Sequence, residues 1–146
     1  MIGGIGKETA KLFAEHGWRV IATMRTPEKE EELTKYDNVE LFPLDVTCSE
    51  QIRRTTEEIL SRYDVDVLFH NAGYGMRTRF EDMTDERIHR SIDTNLLGMV
   101  RVLRAFIPHF KKRCGGTVLV TTSLAGVIGL PLDGVCAADK WAAQGM

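Results

Sequence analysis

Apolar and polar positions along the chain alternate between two periods. Short runs rich in β-branched and apolar residues recur at 18–24, 39–44, 65–69 and 117–122, and each predicts a strand. Helical patterns lie between them. Ala10, Phe13 and Ala14 fall on one side of a helix over 7–16, which Gly17 ends. Thr26-Pro27-Glu28 predicts a helix start with Thr as cap and Pro in the first position. Thr47-Cys48-Ser49-Glu50 has capping-box spacing and predicts a helix over 49–63. Ile88, Ile92, Leu96, Met99, Val100, Leu103 and Phe106 mark one buried stripe over 85–110, which Pro108 bends or ends. A last helix begins after Pro131 and carries Cys136 and Lys140, four residues apart and so on one face.

This strand–helix alternation predicts an α/β fold with a parallel sheet. There are no repeats, linkers or low-complexity stretches, so residues 1–146 read as a single domain. Apolar residues make up 43% and charged residues 27%, which suits a globular chain with a real core. The net charge of −2 offers no broad attraction to nucleic acid or an anionic surface. No apolar run reaches membrane-spanning length, and no signal-peptide pattern opens the chain. Cys48, Cys114 and Cys136 are widely spaced and form no metal-ligand pattern; they read as reduced thiols of a cytoplasmic protein.

Several positions offer chemistry. Gly4-Ile5-Gly6 runs into the first helix, where backbone N–H groups and the positive helix end can receive a phosphate; a plain turn or cap fits as well. Arg25 directly follows strand 18–24, where it suits a 2′-phosphate or is simply a solvated arginine. Asp45-Val46 ends strand 39–44, and Asp45 fits a turn aspartate bonded to nearby N–H groups. His70 ends strand 65–69 and fits a packed or hydrogen-bonded role better than a catalytic one. Asn95 and Gly98 interrupt the apolar stripe, and Asn95 fits a locally bonded helix asparagine. Ser123 stands at the tip of strand 117–122, facing the helix of Cys136 and Lys140.

Taken together, these residues resemble the short-chain dehydrogenase/reductase family, and the run Ser-Leu-Ala-Gly-Val-Ile-Gly-Leu-Pro resembles its hydroxysteroid and retinol dehydrogenase branch. The resemblance spans essentially the whole chain. It implies a Rossmann-like parallel sheet with helices on both faces, lacking the first strand and the C-terminal strands, as though truncated at both ends. It implies cofactor contacts at Gly4, Ile5, Gly6, Arg25, Asp45, Val46, Asn71, Ala72, Gly73 and Lys140. It implies catalytic positions at Asn95, Ser123, Cys136 and Lys140. Asn71-Ala72-Gly73 match the family's Asn-Asn-Ala-Gly signature, with His70 departing from its first position. NADP in preference to NAD is the implied cofactor, and an alcohol or carbonyl on a steroid-, retinoid- or lipid-like molecule the implied substrate. Long helices such as 85–110 form dimer faces in the family, which implies a homo-oligomer.

The same register puts Cys136 where the family has its catalytic tyrosine. A thiol has a reference pKa of about 8.5 and can donate a proton in principle. Its side chain is far too short to reach where a tyrosine hydroxyl would be, and reach comes before pKa in general acid catalysis. Two readings follow: an NADP-dependent oxidoreductase, or a catalytically impaired nucleotide-binding remnant or fragment.

Overall fold

The computed structural model describes residues 4–146; Met1, Ile2 and Gly3, at the head of the glycine run, lie outside the described residues. The chain divides into two compact units, Met1–Asp64 and Val65–Met146. Helices and parallel strands alternate, as the apolar periods predict.

In the first unit, helix α1 (Ile5–Glu15) leads to strand β1 (Val20–Met24), then strand β2 (Val39–Pro43) and helix α2 (Ser49–Arg62). β1 and β2 pair in parallel, with Val20 opposite Val39 and Met24 opposite Pro43. Gly17 stops α1 as expected: its φ of 80° is one that other residues adopt only with strain, and its N–H bonds the Ala14 carbonyl at 3.0 Å.

The helix expected from Thr26 is only a 3-10 turn, Pro27–Lys29, and the Thr26 side chain caps nothing. Glu30 turns extended and redirects the chain. Its carboxylate accepts from the N–H groups of Glu32 at 3.0 Å and Leu33 at 3.1 Å, capping a second turn, Leu33–Lys35. That turn carries Leu33 into the core, where it is wholly buried with Ala22 and Met24 against Ala10, Val20, Val39 and Leu41. Lys7, reaching from α1, pairs with Glu30 at 3.0 Å and with Glu32 at 2.7 Å. The expected capping box before α2 does not form either. Thr47 turns back to Asp45, and Cys48 takes the cap position without a side-chain bond.

In the second unit, strand β3 (Val67–His70) is followed by helix α3 (Asp85–Ile92), a π-helical segment (Asp93–Leu97) and helix α4 (Gly98–Arg113). Strand β4 (Thr117–Val120), a 3-10 turn (Leu124–Gly126) and helix α5 (Gly134–Gln144) complete it. β3 and β4 pair in parallel from Val67 opposite Thr117 to His70 opposite Val120. Both strands are shorter than the apolar runs that predict them. Thr121 leaves the ladder but still donates its N–H to the His70 carbonyl at 2.9 Å. Val118 and Leu119 are 39% and 45% exposed, so β4 presents apolar side chains to solvent.

The single helix expected over 85–110 is thus two helices joined by a π turn at Asn95. Thr84 caps α3, its hydroxyl accepting from the Arg87 N–H at 3.4 Å. Pro108 does not end α4, which runs on to Arg113. It lies on the exposed side of the helix, as does Arg104, whose carbonyl loses its partner and can turn to water. The opposite side buries Met99, Val102, Phe106 and Phe110. Among the described residues no helix is long and apolar enough to cross a membrane.

Leu33 is wholly buried, so Leu33→Ala removes three buried carbons and is expected to leave a cavity. The expected loss is about 2–5 kcal/mol of unfolding free energy, read from the urea midpoint of the chain. A loss under ~1 kcal/mol would mean that the turn does not anchor the first unit.

Candidate functional site

The first unit holds the expected phosphate and ribose positions. Gly4 is the N-cap of α1, and Ile5 and Gly6 form its first helical positions. Among the described residues no side chain caps this helix end, which leaves its first N–H groups open to an acceptor. Arg25 follows β1 directly and is exposed. Asp45 accepts at one carboxylate oxygen from the Thr47 N–H at 2.9 Å and the Thr47 hydroxyl at 2.7 Å. Those two bonds, and more weakly the Arg25 charge, hold its pKa below the usual carboxylate value. Arg25 and Asp45 are therefore electrostatic neighbours. Asp45 also donates its backbone N–H to the Gln51 side chain at 2.5 Å, and Val46 beside it is buried. Asp45 takes the turn-aspartate geometry that its sequence context suggests.

The second unit gathers the remaining positions around Lys140. The Lys140 ammonium donates to the Thr121 carbonyl at 2.9 Å. The Thr121 hydroxyl donates to the Asn71 side-chain carbonyl at 2.8 Å. Gly73 closes the cluster: a Cβ there would lie 3.0 Å from Asn95 Oδ1 and 3.6 Å from Lys140 Nζ. A side chain there would press on the Asn95 amide, while its distance to Lys140 is that of an ordinary contact.

Asn95 sits in the π-helical segment and is 2% exposed. Its Oδ1 accepts from the Tyr74 N–H at 2.9 Å, and its Nδ2 donates to the Tyr74 carbonyl at 3.1 Å. The bonding is not merely local, because Tyr74 is 21 positions away. Nδ2 also lies 3.2 Å from Ser91 Oγ and 3.2 Å from Asp139 Oδ2.

Ser123 is exposed at the end of the β4 segment, and its hydroxyl accepts from the Ala125 N–H at 3.2 Å. The turn that follows packs on α5, with a Gly126 Cβ position 3.0 Å from the Lys140 carbonyl. Cys136 lies one helical turn before Lys140 and is buried at 7% exposure. Ala72 is exposed between Asn71 and Gly73.

His70 ends β3 and is buried, with its Nε2 lacking a partner. Burial first, and the Lys140 ammonium second, push its pKa down to about 4, only partly opposed by a hydrogen bond with the Ala72 backbone. It is a neutral imidazole packed at the strand end.

Thr121, Tyr74, Ser91 and Asp139 also belong to this cluster, and sequence reasoning did not single them out. Thr121 and Tyr74 act largely through backbone groups, which carry no signature of their own. Ser91 stands four residues before Asn95 and Asp139 three after Cys136, so helical spacing alone places each on the face of a residue already of interest.

With this geometry in place, the likeness to known proteins can be stated. The family model for short chain dehydrogenase matches residues 1–146. The chain belongs to the short-chain dehydrogenase/reductase family, a class of oxidoreductases. It is 35% identical over 143 residues to a 3-ketodihydrosphingosine reductase of Bacteroides thetaiotaomicron, covering 97% of this chain and 51% of the reductase. It is 38% identical over 109 residues to human 17-beta-hydroxysteroid dehydrogenase type 1, covering 75% of this chain and 33% of the dehydrogenase. Among solved structures it resembles an alcohol dehydrogenase from the archaeon Thermococcus sibiricus complexed with 5-hydroxy-NADP. That likeness has a TM-score of 0.91 at 34% identity, over 97% of this chain and 63% of the other. The chain spans about half the length of the curated reductase it matches.

The His70 shift has a pH signature. The folded value, about 4, lies below the ordinary 6.5, so the unfolded chain takes up a proton that the folded chain refuses. The stability tied to neutral His70 is complete above pH 6.5 and is lost as pH falls towards 4, up to about 3 kcal/mol in all. In urea titrations at several pH values, His70→Asn should flatten this part of the profile. An unchanged slope would place the acid sensitivity elsewhere.

Proposed function

We propose that residues 1–146 act as a single, partial dinucleotide-binding domain of an NADP-dependent oxidoreductase. The reaction is hydride transfer between NADP(H) and the alcohol or carbonyl of a steroid-, retinoid- or lipid-like molecule. The observation that carries the reading is the convergence of Asn95 and Lys140 on Gly73, with Lys140 tied through Thr121 to Asn71. Membership of the family, and relatives named for a ketosphingoid and a hydroxysteroid, support the substrate class. The archaeal neighbour with its 5-hydroxy-NADP supports the cofactor.

In this reading the N-terminal end of α1, from Gly4 to Gly6, meets the pyrophosphate. Arg25 meets the 2′-phosphate, for which its planar, always charged guanidinium is suited, and no carboxylate adjoins it in sequence before Glu28. Asp45 and Val46 border the adenine, and Asn71 to Gly73 line the cofactor. Bound nicotinamide supplies or accepts the hydride. Lys140 holds the ribose, Ser123 positions the substrate oxygen, and Asn95 supports the arrangement.

The remaining task is a proton at that oxygen, and here the chain departs from its family. Cys136 stands at the tyrosine position, is buried, and has a side chain of one carbon and one sulfur. A proton donor must reach the atom it serves. Hydride transfer by this chain is accordingly weak or absent, which supports a second reading as a nucleotide-binding module.

A thermal melt with NADPH and with NADH tests the first part. The expected outcome is a cooperative transition raised more by NADPH than by NADH. Arg25→Ala should cut the NADPH affinity about tenfold, or ~1.4 kcal/mol, and leave NADH nearly unaffected. A melt indifferent to both nucleotides sinks the binding reading for this chain. Cys136→Tyr, assayed by NADPH absorbance with apolar ketones, should raise turnover if the missing acid is the main defect. Equal rates in the two proteins would assign the loss to another cause.

A further inference from the structure

A buried carboxylate lies beside Lys140 that the proposed reaction does not use. Asp139 is 2% exposed in α5, and the partners seen for it among the described residues are neutral side chains. Its Oδ2 accepts from the Ser91 hydroxyl at 2.6 Å, and Ser91 is fully buried. The same oxygen lies 3.2 Å from Asn95 Nδ2. A carboxylate withdrawn from water is costly unless its acceptors are met, and here two neutral donors meet one oxygen. Such an arrangement is worth most where it fixes a geometry.

What it fixes is the orientation of the Asn95 amide. The two ends of that amide have nearly the same shape but opposite hydrogen-bonding character. Asp139 Oδ2 accepts from both the Ser91 hydroxyl and Nδ2, so it draws the NH₂ end towards itself and leaves Oδ1 facing the other way. Ser91 reinforces the choice: its proton is committed to Asp139, so its oxygen accepts from Nδ2 as well. With the amide set this way, Oδ1 receives the Tyr74 N–H and the second Nδ2 proton goes to the Tyr74 carbonyl. The backbone after β3 is thereby held from both sides. Gly73 directly before it keeps the narrow approach to Asn95 and Lys140.

We infer that Asp139 is a positioning residue: through Ser91 and the Asn95 amide it sets the 72–74 backbone against Lys140. Its importance for function rests on the reading that Asn95 and Lys140 border the nicotinamide. The geometric claim stands or falls on its own measurement.

That measurement is hydrogen exchange, by NMR on the full chain, at two amides of the same unit. The Tyr74 N–H is held by the Asn95 side chain. The Thr117 N–H, bonded to the Asp66 carbonyl at 2.9 Å, reports opening of the β3–β4 sheet. Asp139→Ala should lower protection at Tyr74 at least tenfold more than at Thr117. Asp139→Asn can present an amide oxygen in the same place and should keep Tyr74 within about threefold of the parent. Ser91→Ala, which leaves Asp139 and Asn95 in place, should lower Tyr74 about threefold with Thr117 unchanged, and it decides the matter if Asp139→Ala does not fold. Parallel loss at both amides, or an unchanged Tyr74 in Ser91→Ala and Asp139→Ala, overturns the inference. NADPH melts of the same variants separate the two claims. If the parent binds no nucleotide, the functional reading fails while the exchange data still judge the geometry. If the parent binds and Asp139→Ala binds equally well with Tyr74 still protected, the positioning role fails alone.

Discussion

A polar side chain taken out of water must find its partners inside, and the second unit of this chain is arranged around that demand. Asn95, Ser91 and Asp139 are almost wholly inaccessible, and each is satisfied by the others or by the Tyr74 backbone. The knot joins α3, the π-helical segment, the stretch after β3 and α5. Apolar packing can bring such elements near one another, but it is indifferent to small slides. Hydrogen bonds of 2.6–3.2 Å are not. The apolar side of α4 supplies the general attraction, and the polar knot supplies the register.

The first unit solves a related problem at lower cost. Its strongly buried acid among the described residues, Glu30, sits where the chain turns between β1 and β2 and meets two N–H groups and Lys7. The carboxylate organises a turn instead of a helix, and so brings Leu33 inward. Lys7 belongs to the first full turn of α1, which Gly4 caps. One ion pair thus links the N-terminal end of α1 to the core of its unit.

Much of this was legible in the chain, and what was not has physical causes. The alternation of strands and helices could be read because periods of two and 3.6 leave different apolar traces. Strand ends were overrun because Thr121, Thr122 and Trp18 have strand-like side chains but lie outside the ladders. The π-helical break could not be told from a continuous helix: Asn95 and Gly98 interrupt the apolar stripe, but Leu96 and Met99 keep its helical spacing there. Pro108 looked like a stop, yet it lies on an exposed side where water can serve the freed carbonyl. Individual positions such as Asn95 and Lys140 stood out through family resemblance. For Asp139 the spacing gives only the helix face it shares with Cys136; its burial depends on Ser91 and Asn95, 48 and 44 positions away.

The short strand β4 carries a consequence for how the protein behaves in a tube. Val118 and Leu119 are substantially exposed on a strand with one parallel partner. Unpaired backbone groups beside apolar side chains form a ready template for another strand. Two-stranded sheets have little stability of their own to resist such recruitment. Among the described residues, then, the edge of β4 away from β3 is where a strand of another molecule in the sample would find backbone groups and apolar side chains together.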